Sequence, residues 1–224
     1  MHDRLVAKVA PRAGERWLDV ATGTGGVAAR AARLGADVVG LDFAPGMIEK
    51  ARGRPEPVQW DVGDAEKLPY PDAAFDVVVS AFGVIFAPDP ERVVSELRRV
   101  LRPAGRVGLT TWERKPELEK LWSKYVDDGP PAQAWDSEEA VLSVLDDFEL
   151  EVECGTWWVE GVTTDEIWEW FGRAVPPHRE RLRRMSADQI ESLRRDWAEL
   201  YELYRDGDRI RHPRPYLLVT GVRR

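Results

Sequence analysis

Residues 17–26 read WLDVATGTGG, and the fold class turns on that stretch. Its first half is a short apolar run of the kind a fully buried strand shows, and it ends on a glycine cluster at Gly23, Gly25 and Gly26. The next ten residues, VAARAARLGA, are rich in alanine and leucine and close on Gly35, a natural position for a helix to stop. Strand, tight loop and helix are therefore expected in that order. A second buried-type strand, ADVVGL, follows at 36–41 and ends at Asp42, which completes one βαβ unit. Further alternation is expected from a helix near 45–52, a strand around 57–61 and a strongly apolar strand at 77–82. Asp89-Pro90 places a capping acceptor before a proline, so 91–101 should be a helix with an apolar stripe at Val93, Val94, Leu97 and Leu101. The RPAG segment at 102–105 should turn the chain into a strand at 106–112. Strands separated by helices imply a doubly wound α/β fold with a mostly parallel sheet.

Beyond Trp112 the rhythm changes. Helices are expected near 116–126 and 137–146, with the turn DGPPAQAW between them, and 148–161 alternates like a half-exposed strand. Two capping boxes, beginning at Thr163 and Ser186, open helical segments, and the second carries Ile190, Leu193, Trp197, Leu200 and Tyr204 at helical spacing. The terminal PYLLVTGVRR should return as an antiparallel strand beside 148–159. The whole is expected as a single domain over 1–224, with a ligand-binding core at 12–112 and a helical insertion at about 160–210.

Composition narrows the function. With 32 Lys+Arg against 40 Asp+Glu the chain carries a net charge of -8, which argues against a protein that grips nucleic-acid backbones. Cys154 is the one cysteine, so no disulfide framework or cysteine zinc site is expected, and that usage suits a reducing cytoplasm. No window approaches the roughly 18 apolar residues of a membrane-spanning helix, and the charged N-terminus has no signal-peptide pattern.

The candidate site residues sit at strand ends. Gly23 and Gly25 allow a tight turn against which a ligand can lie where a Cβ would intrude. The helix that follows presents a positive amino end. Such a loop also fits a nicotinamide dinucleotide fold, since Gly23 to Ala28 satisfies G-x-G-x-x-A, and it fits a turn holding no ligand. Asp42 stands where an acid can accept from both ribose hydroxyls, or cap the next helix. Asp64, after the third strand, suits an adenine amino group. Three successive strand ends of a parallel sheet converge on one crevice.

In order and spacing, LDVATGTGG, VVGLDFAPGMIEKAR and the long segment from GDAEKLPYPDAAFDVVVSAF to LRPAGRVGLTTW resemble the class I S-adenosylmethionine-dependent methyltransferases, especially the branch acting on quinones and other small molecules. The likeness covers about 12–112, and LPYPDAAFDVV and LRPAGR have no counterpart in dehydrogenases. It implies a Rossmann-like seven-stranded sheet with an antiparallel last strand, and S-adenosylmethionine as cofactor. It further implies that Asp19 faces the methionine amino group and that Ala21, Thr22, Gly23, Thr24 and Gly25 hold the methionine portion. Asp42 would bind the ribose, Phe43 and Met47 would flank the adenine, and Asp64 and Ala65 would hydrogen-bond it. Ser80, Ala81 and Phe82 would border the sulfonium. About ten residues precede the first strand region, where relatives carry a longer helical cover, so either that cover is missing or the 163–205 helices replace it.

The implied reaction is direct in-line methyl transfer with no metal required. Where the acceptor has a proton to lose, His2, His178 and His212 are the histidines available as base, and His178, after Pro176-Pro177, is the catalytic candidate against a reading as a solvated loop residue. Seven of the ten tryptophans follow Trp112, which suggests a small apolar or aromatic acceptor. Trp168, Trp170 and Phe171 divide evenly between lid and core. The run at 179–186 is a basic patch or a solvated helix face. A homodimer stays open. The competing readings are a nicotinamide-dependent oxidoreductase and a non-catalytic S-adenosylmethionine-binding protein.

Overall fold

The structure is a computed structural model that describes residues 1–127, 133–173 and 175–224. The first five residues of the turn expected at 128–135 lie outside that set. In chain order the first half contains α1 (His2–Val9), β1 (Arg16–Val20), α2 (Gly26–Arg33), β2 (Asp37–Asp42), α3 (Pro45–Arg52), β3 (Val58–Val62), β4 (Phe75–Ala81), α4 (Pro90–Val100) and β5 (Leu101–Trp112). The second half contains α5 (Pro116–Ser123), α6 (Glu138–Val144), β6 (Phe148–Gly161), α7 (Thr164–Ile167), α8 (Pro176–Arg183), α9 (Ala187–Glu202), β7 (Arg205–Asp206) and β8 (Arg209–Arg223). The chain divides into two compact units, one of Met1–Glu113, Ala132–Gly155 and Tyr216–Arg224, the other of Arg114–Pro131 and Thr156–Pro215. The second unit thus starts well before the insertion expected at about 160.

The sheet runs β3-β2-β1-β4-β5-β8-β6, with the short β7 paired to β8. The pairs β1·β2, β1·β4, β2·β3 and β4·β5 are parallel, and β5·β8 is antiparallel. The fold is therefore the doubly wound Rossmann-like sheet expected, with the terminal strand lying between β5 and β6. From β1 the chain builds outward through β2 and β3 on one side and through β4 and β5 on the other, so the order reverses between β1 and β4. That reversal opens a crevice at the carboxyl ends of the two strands.

Buried residues explain the layers of the first unit. Leu18, Val20, Val39, Leu41 and Val78 from the strands pack with Val93 and Leu97 of α4 in one core. Helix α4 starts as its sequence dictates, with Asp89 Oδ1 accepting from the Arg92 N–H at 3.0 Å and Pro90 following the cap. It stops one residue early, and Leu101 opens β5. The expected 102–105 turn survives inside β5 as a local irregularity: Ala104 takes φ +58 and the β4·β5 register slips between Phe75 and Val77. Helix α1, which the charged N-terminus did not announce, buries Leu5, Val6 and Val9. It lies against β5 at Gly108, where an added Cβ would stand 2.4 Å from Val9 Cγ2.

In the second unit Leu118, Trp122, Ile167, Trp168, Leu193 and Trp197 belong to a separate aromatic core. Helix α9 opens with the complete Ser186–Gln189 capping box. Between α7 and α8 the backbone forms a π-helical turn, Trp168–Gly172. It buries Trp168 and Phe171, which are core, and leaves Trp170 49% exposed.

Gly108→Val should destabilise the chain by about 1–3 kcal/mol through overpacking against α1, seen as a lower urea midpoint at constant slope. An unchanged midpoint would mean that α1 is not seated on β5.

Candidate functional site

The loop after β1 is bent by three left-handed residues in five, Ala21 (φ +54), Gly23 (φ +58) and Gly25 (φ +78). Gly25 is the N-cap of α2 and has no side chain to cap with. Asp19 supplies the missing acceptor from inside the sheet: its Oδ2 takes the Ala28 N–H at 3.0 Å and the Thr22 hydroxyl at 2.5 Å. The carboxyl group is 1% exposed. Burial pushes it up to about pH 7, against the pull of those two hydrogen bonds, and the neighbouring Asp42 charge pushes in the same direction as burial. Gly25 is also a site of close approach, since a Cβ there would fall 2.2 Å from the Trp60 ring, which likewise crowds Gly40 on the adjacent strand. Trp60, on β3, escaped the sequence reading because only the β2·β3 register brings it over both glycines.

Asp42, at the end of β2, ties two loops together. Its Oδ2 accepts from the Gly23 N–H at 2.8 Å and its Oδ1 from the Ala44 N–H at 3.0 Å. Each oxygen has a further lone pair for a ligand hydroxyl. The next loop is held to the same strand by the Gly63 N–H donating to the Asp42 carbonyl at 3.0 Å. Asp64 itself is exposed, its Oδ1 accepting from the Glu66 N–H at 2.9 Å in a local turn, and Ala65 packs against the core. Phe43 stands 78% exposed beside Asp42, a large apolar ring left in water, and Met47 is half-buried on α3.

The loop after β4 closes the other side of the crevice. Ser80 is fully buried and its hydroxyl accepts from the Val84 N–H at 3.2 Å. Ala81 is half-buried, and Phe82 takes φ +58, a costly conformation for an aromatic residue at about 1–2 kcal/mol. Its N–H donates to the Thr110 carbonyl at 3.1 Å, and its ring stacks on Trp112 with centroids 3.9 Å apart and planes 19° apart. Tyr216 of β8 meets the same ring edge-on at 5.9 Å. A Cβ on Gly83 would stand 2.4 Å from Ala21 Cβ, so the loops after β1 and β4 touch. The left-handed Ala21 and Phe82 thus follow the two strands at which the order reverses, a pattern of backbone strain seen at working sites.

The structure therefore brings the residues from Asp19 to Gly25, Asp42, Asp64 and Ser80 to Phe82 to the carboxyl ends of four neighbouring strands. The histidines are placed otherwise. His2 lies over the first turn of α2, its Nδ1 2.8 Å from where a Gly26 Cβ would be, and burial and Arg30 hold its pKa below the usual value. His178 is a buried residue of α8 and not a loop residue: its Nδ1 lies 3.1 Å from the Phe171 carbonyl and its ring 4.8 Å from Trp122. Burial pulls its pKa down to about 3, so the ring is neutral and a weak base. His212 is 0% exposed, with its pKa lowered to about 4 by burial first and by Lys115 and Arg214 next.

A methyltransferase-domain family model matches residues 18–109, which span β1 to β5 and all four loops. A demethylmenaquinone methyltransferase from Clavibacter sepedonicus is 42% identical over 111 residues, covering 48% of this chain and 45% of that protein. The chain spans about half the length of the curated relatives it matches. A candidate methyltransferase from Bacillus halodurans, solved as a crystal structure, is 25% identical with a TM-score of 0.69, covering 99% of this chain and 97% of that one. The Haemonchus contortus phosphoethanolamine N-methyltransferase 2, solved in complex with S-adenosyl-L-methionine, shares the fold at 21% identity and a TM-score of 0.64, covering 99% of this chain and 52% of that one. The domain match and the likeness in fold agree: residues 18–109 are similar in sequence to a methyltransferase domain, and the chain shares the fold of these solved structures.

Proposed function

We propose that the chain transfers a methyl group from S-adenosylmethionine to a small apolar or aromatic acceptor. The observation that carries this reading is the Asp42 carboxylate, which binds the glycine loop through Gly23 and the next loop through Ala44 at the same strand end. The residues fit the cofactor. Open space lies beyond Gly23, where an added Cβ would meet no atom within 4 Å, and the exposed Phe43 ring offers an apolar platform for a base. Asp42 would accept from the ribose hydroxyls, Asp19 would pair with the methionine ammonium, and Asp64 with the Ala65 N–H would hydrogen-bond the adenine between Phe43 and Met47. Ser80, Ala81 and Phe82 would border the reacting methyl group.

When bound, the cofactor supplies a methyl group on a sulfonium: the acceptor lone pair forms the new bond to that carbon while the carbon–sulfur electron pair returns to sulfur. The chain's own task is alignment and the exclusion of water. Phe82 and Trp112 form a stacked wall, closed on one edge by Tyr216, on which a planar acceptor can lie beside the crevice. That wall, together with a relative named for a quinone substrate, supports the apolar acceptor class. His178 is not assigned as the base, because a neutral ring whose Nδ1 is engaged by a carbonyl, and whose pKa is held at about 3, has little capacity to take a proton near neutrality.

S-adenosylhomocysteine should raise the melting temperature and NADH should leave it unchanged. In Asp42→Ala, binding measured by calorimetry should weaken roughly ten- to a hundredfold, since a partner of two hydroxyls is lost; stabilisation by NADH alone, or full affinity in the variant, would refute the assignment. A second outcome concerns pH. With the Asp19 carboxyl in the ligand-free protein at about 7, the ionised form that attracts an ammonium grows as pH rises, so affinity should increase roughly five- to tenfold between about pH 6 and 7.5. Asp19→Asn should flatten that dependence. A flat profile in the unmodified chain would remove Asp19 from the ammonium site.

A further inference from the structure

Residues 63–74 carry the chain from β3 to β4, and because the sheet order is β3-β2-β1-β4 they pass two strands on the way. A parallel connection of that reach is usually built around a helix. Here it has the isolated Asp64–Lys67 bridge and no helix. A long irregular loop keeps one shape where it is tied down. Its first tie is the bond from the Gly63 N–H to the Asp42 carbonyl at 3.0 Å. The others run to α4.

Arg99, in the last turn of α4, makes most of them. A guanidinium carries five N–H donors in a rigid fork, and each of these has an acceptor. Nε donates to Glu96 Oε1 at 2.7 Å, and Nη2 donates to Glu96 Oε2 at 2.8 Å and to the Leu68 carbonyl at 3.0 Å. Nη1 donates to the Tyr70 carbonyl at 2.7 Å and to Asp72 Oδ1 at 2.9 Å. Glu96 completes the clamp: its Oε2 also accepts from the Leu68 N–H at 2.7 Å, so one ion pair holds both polar groups of the Leu68 backbone. The Arg99 hydrogen bonds keep the Glu96 carboxyl below the usual carboxylate range and therefore an acceptor. Glu66 fixes the middle of the loop, its Oε1 accepting from the Asp89 N–H at 2.8 Å at the amino end of α4. The Leu68 side chain is buried in the same core as Val93, Val94 and Leu97 of that helix. Asp64 and Ala65 are thus strung between two fixed points, Gly63 on β2 and Leu68 on α4.

We propose that Arg99, with Glu96, is a positioning residue for recognition of the adenine base, setting Asp64 and the Ala65 N–H where they meet the amino group and a ring nitrogen. The inference rests on the adenine placement proposed above. Both residues act through the Leu68 backbone and stand behind the loop, on α4. What they control is the choice of base more than the overall grip, because the Asp42 and glycine-loop contacts hang from other strands. Lysine cannot replace Arg99, since a point charge on a flexible stem does not reproduce a planar fork with five acceptors.

The test compares S-adenosylhomocysteine with S-inosylhomocysteine, which turns a carbonyl oxygen instead of an amino group toward Asp64, by calorimetry on the full chain. The unmodified chain should prefer the adenosyl compound by about tenfold or more, because two acceptors would otherwise face each other. Arg99→Lys should weaken the adenosyl compound by roughly three- to tenfold, leave the inosyl compound within about twofold, and so erase most of the preference. Glu96→Gln should move the preference in the same direction by a smaller factor, and it decides the matter if Arg99→Lys does not melt cooperatively. Gly108→Val, which lowers stability far from the loop, should keep the preference intact. A full preference in a cooperatively melting Arg99→Lys, or an equal loss in Gly108→Val, would overturn the proposal and leave the cofactor reading standing. An unmodified chain that binds both compounds equally would remove Asp64 from the adenine and this proposal with it, whereas one that binds neither would refute the cofactor reading itself.

Discussion

A glycine at the amino end of α2 leaves that helix without a capping side chain, and the rest of the site depends on how the acceptor is replaced. Gly25 must be glycine, because its backbone is left-handed and the Trp60 ring occupies the place of its Cβ. Asp19 therefore caps α2 from the end of the neighbouring strand, at the expense of burying a carboxyl group almost completely. Burial raises its proton affinity into the physiological range, so the structural cap of α2 is also a titratable group. Asp42 repeats the arrangement one strand over, its two oxygens fastening two loops by their backbone N–H groups. The rim is held by carboxylates that accept from backbone N–H groups.

Much of this could be read from residue order. Buried strands of five to seven residues separated by short helices have a periodicity that survives without coordinates, and Asp42 and Gly23 were placed at strand ends by it. Capping chemistry is equally local, which is why Asp89 and Ser186 start their helices where the sequence says. What escaped depends on register or packing. The left-handed Phe82 has no sequence signal, since a bulky residue takes that conformation only when its surroundings force it, here the bond to the Thr110 carbonyl and the stack on Trp112. The Trp60 contact with Gly25 and Gly40 needs the β2·β3 pairing. The 102–105 turn was seen but not its absorption into β5, a matter of pairing with β4.

The second unit shows the opposite balance. Its prolines, charges and tryptophans suggested a cover in which His178 was either a catalytic base or a solvated loop residue, whereas His178 and His212 are both drawn into an aromatic core that keeps them neutral. A ring flanked by prolines and arginines in the chain gives no hint of what will fold over it. The same unit carries the π-helical turn, a backbone state set by tertiary packing alone. The strand-end loops are thus recognisable from residue order, while the chemistry of the helical part has to be taken from structure.

The central claim is that one adenosyl amino acid is grasped by four loop tips at the β1/β4 reversal. Backbone amide hydrogen exchange of the full chain, with and without S-adenosylhomocysteine, tests it most directly. Slowed exchange confined to about residues 21–25, 42–44, 63–66 and 80–83 is the predicted result. Protection elsewhere, with those four loops exchanging as before, would contradict it.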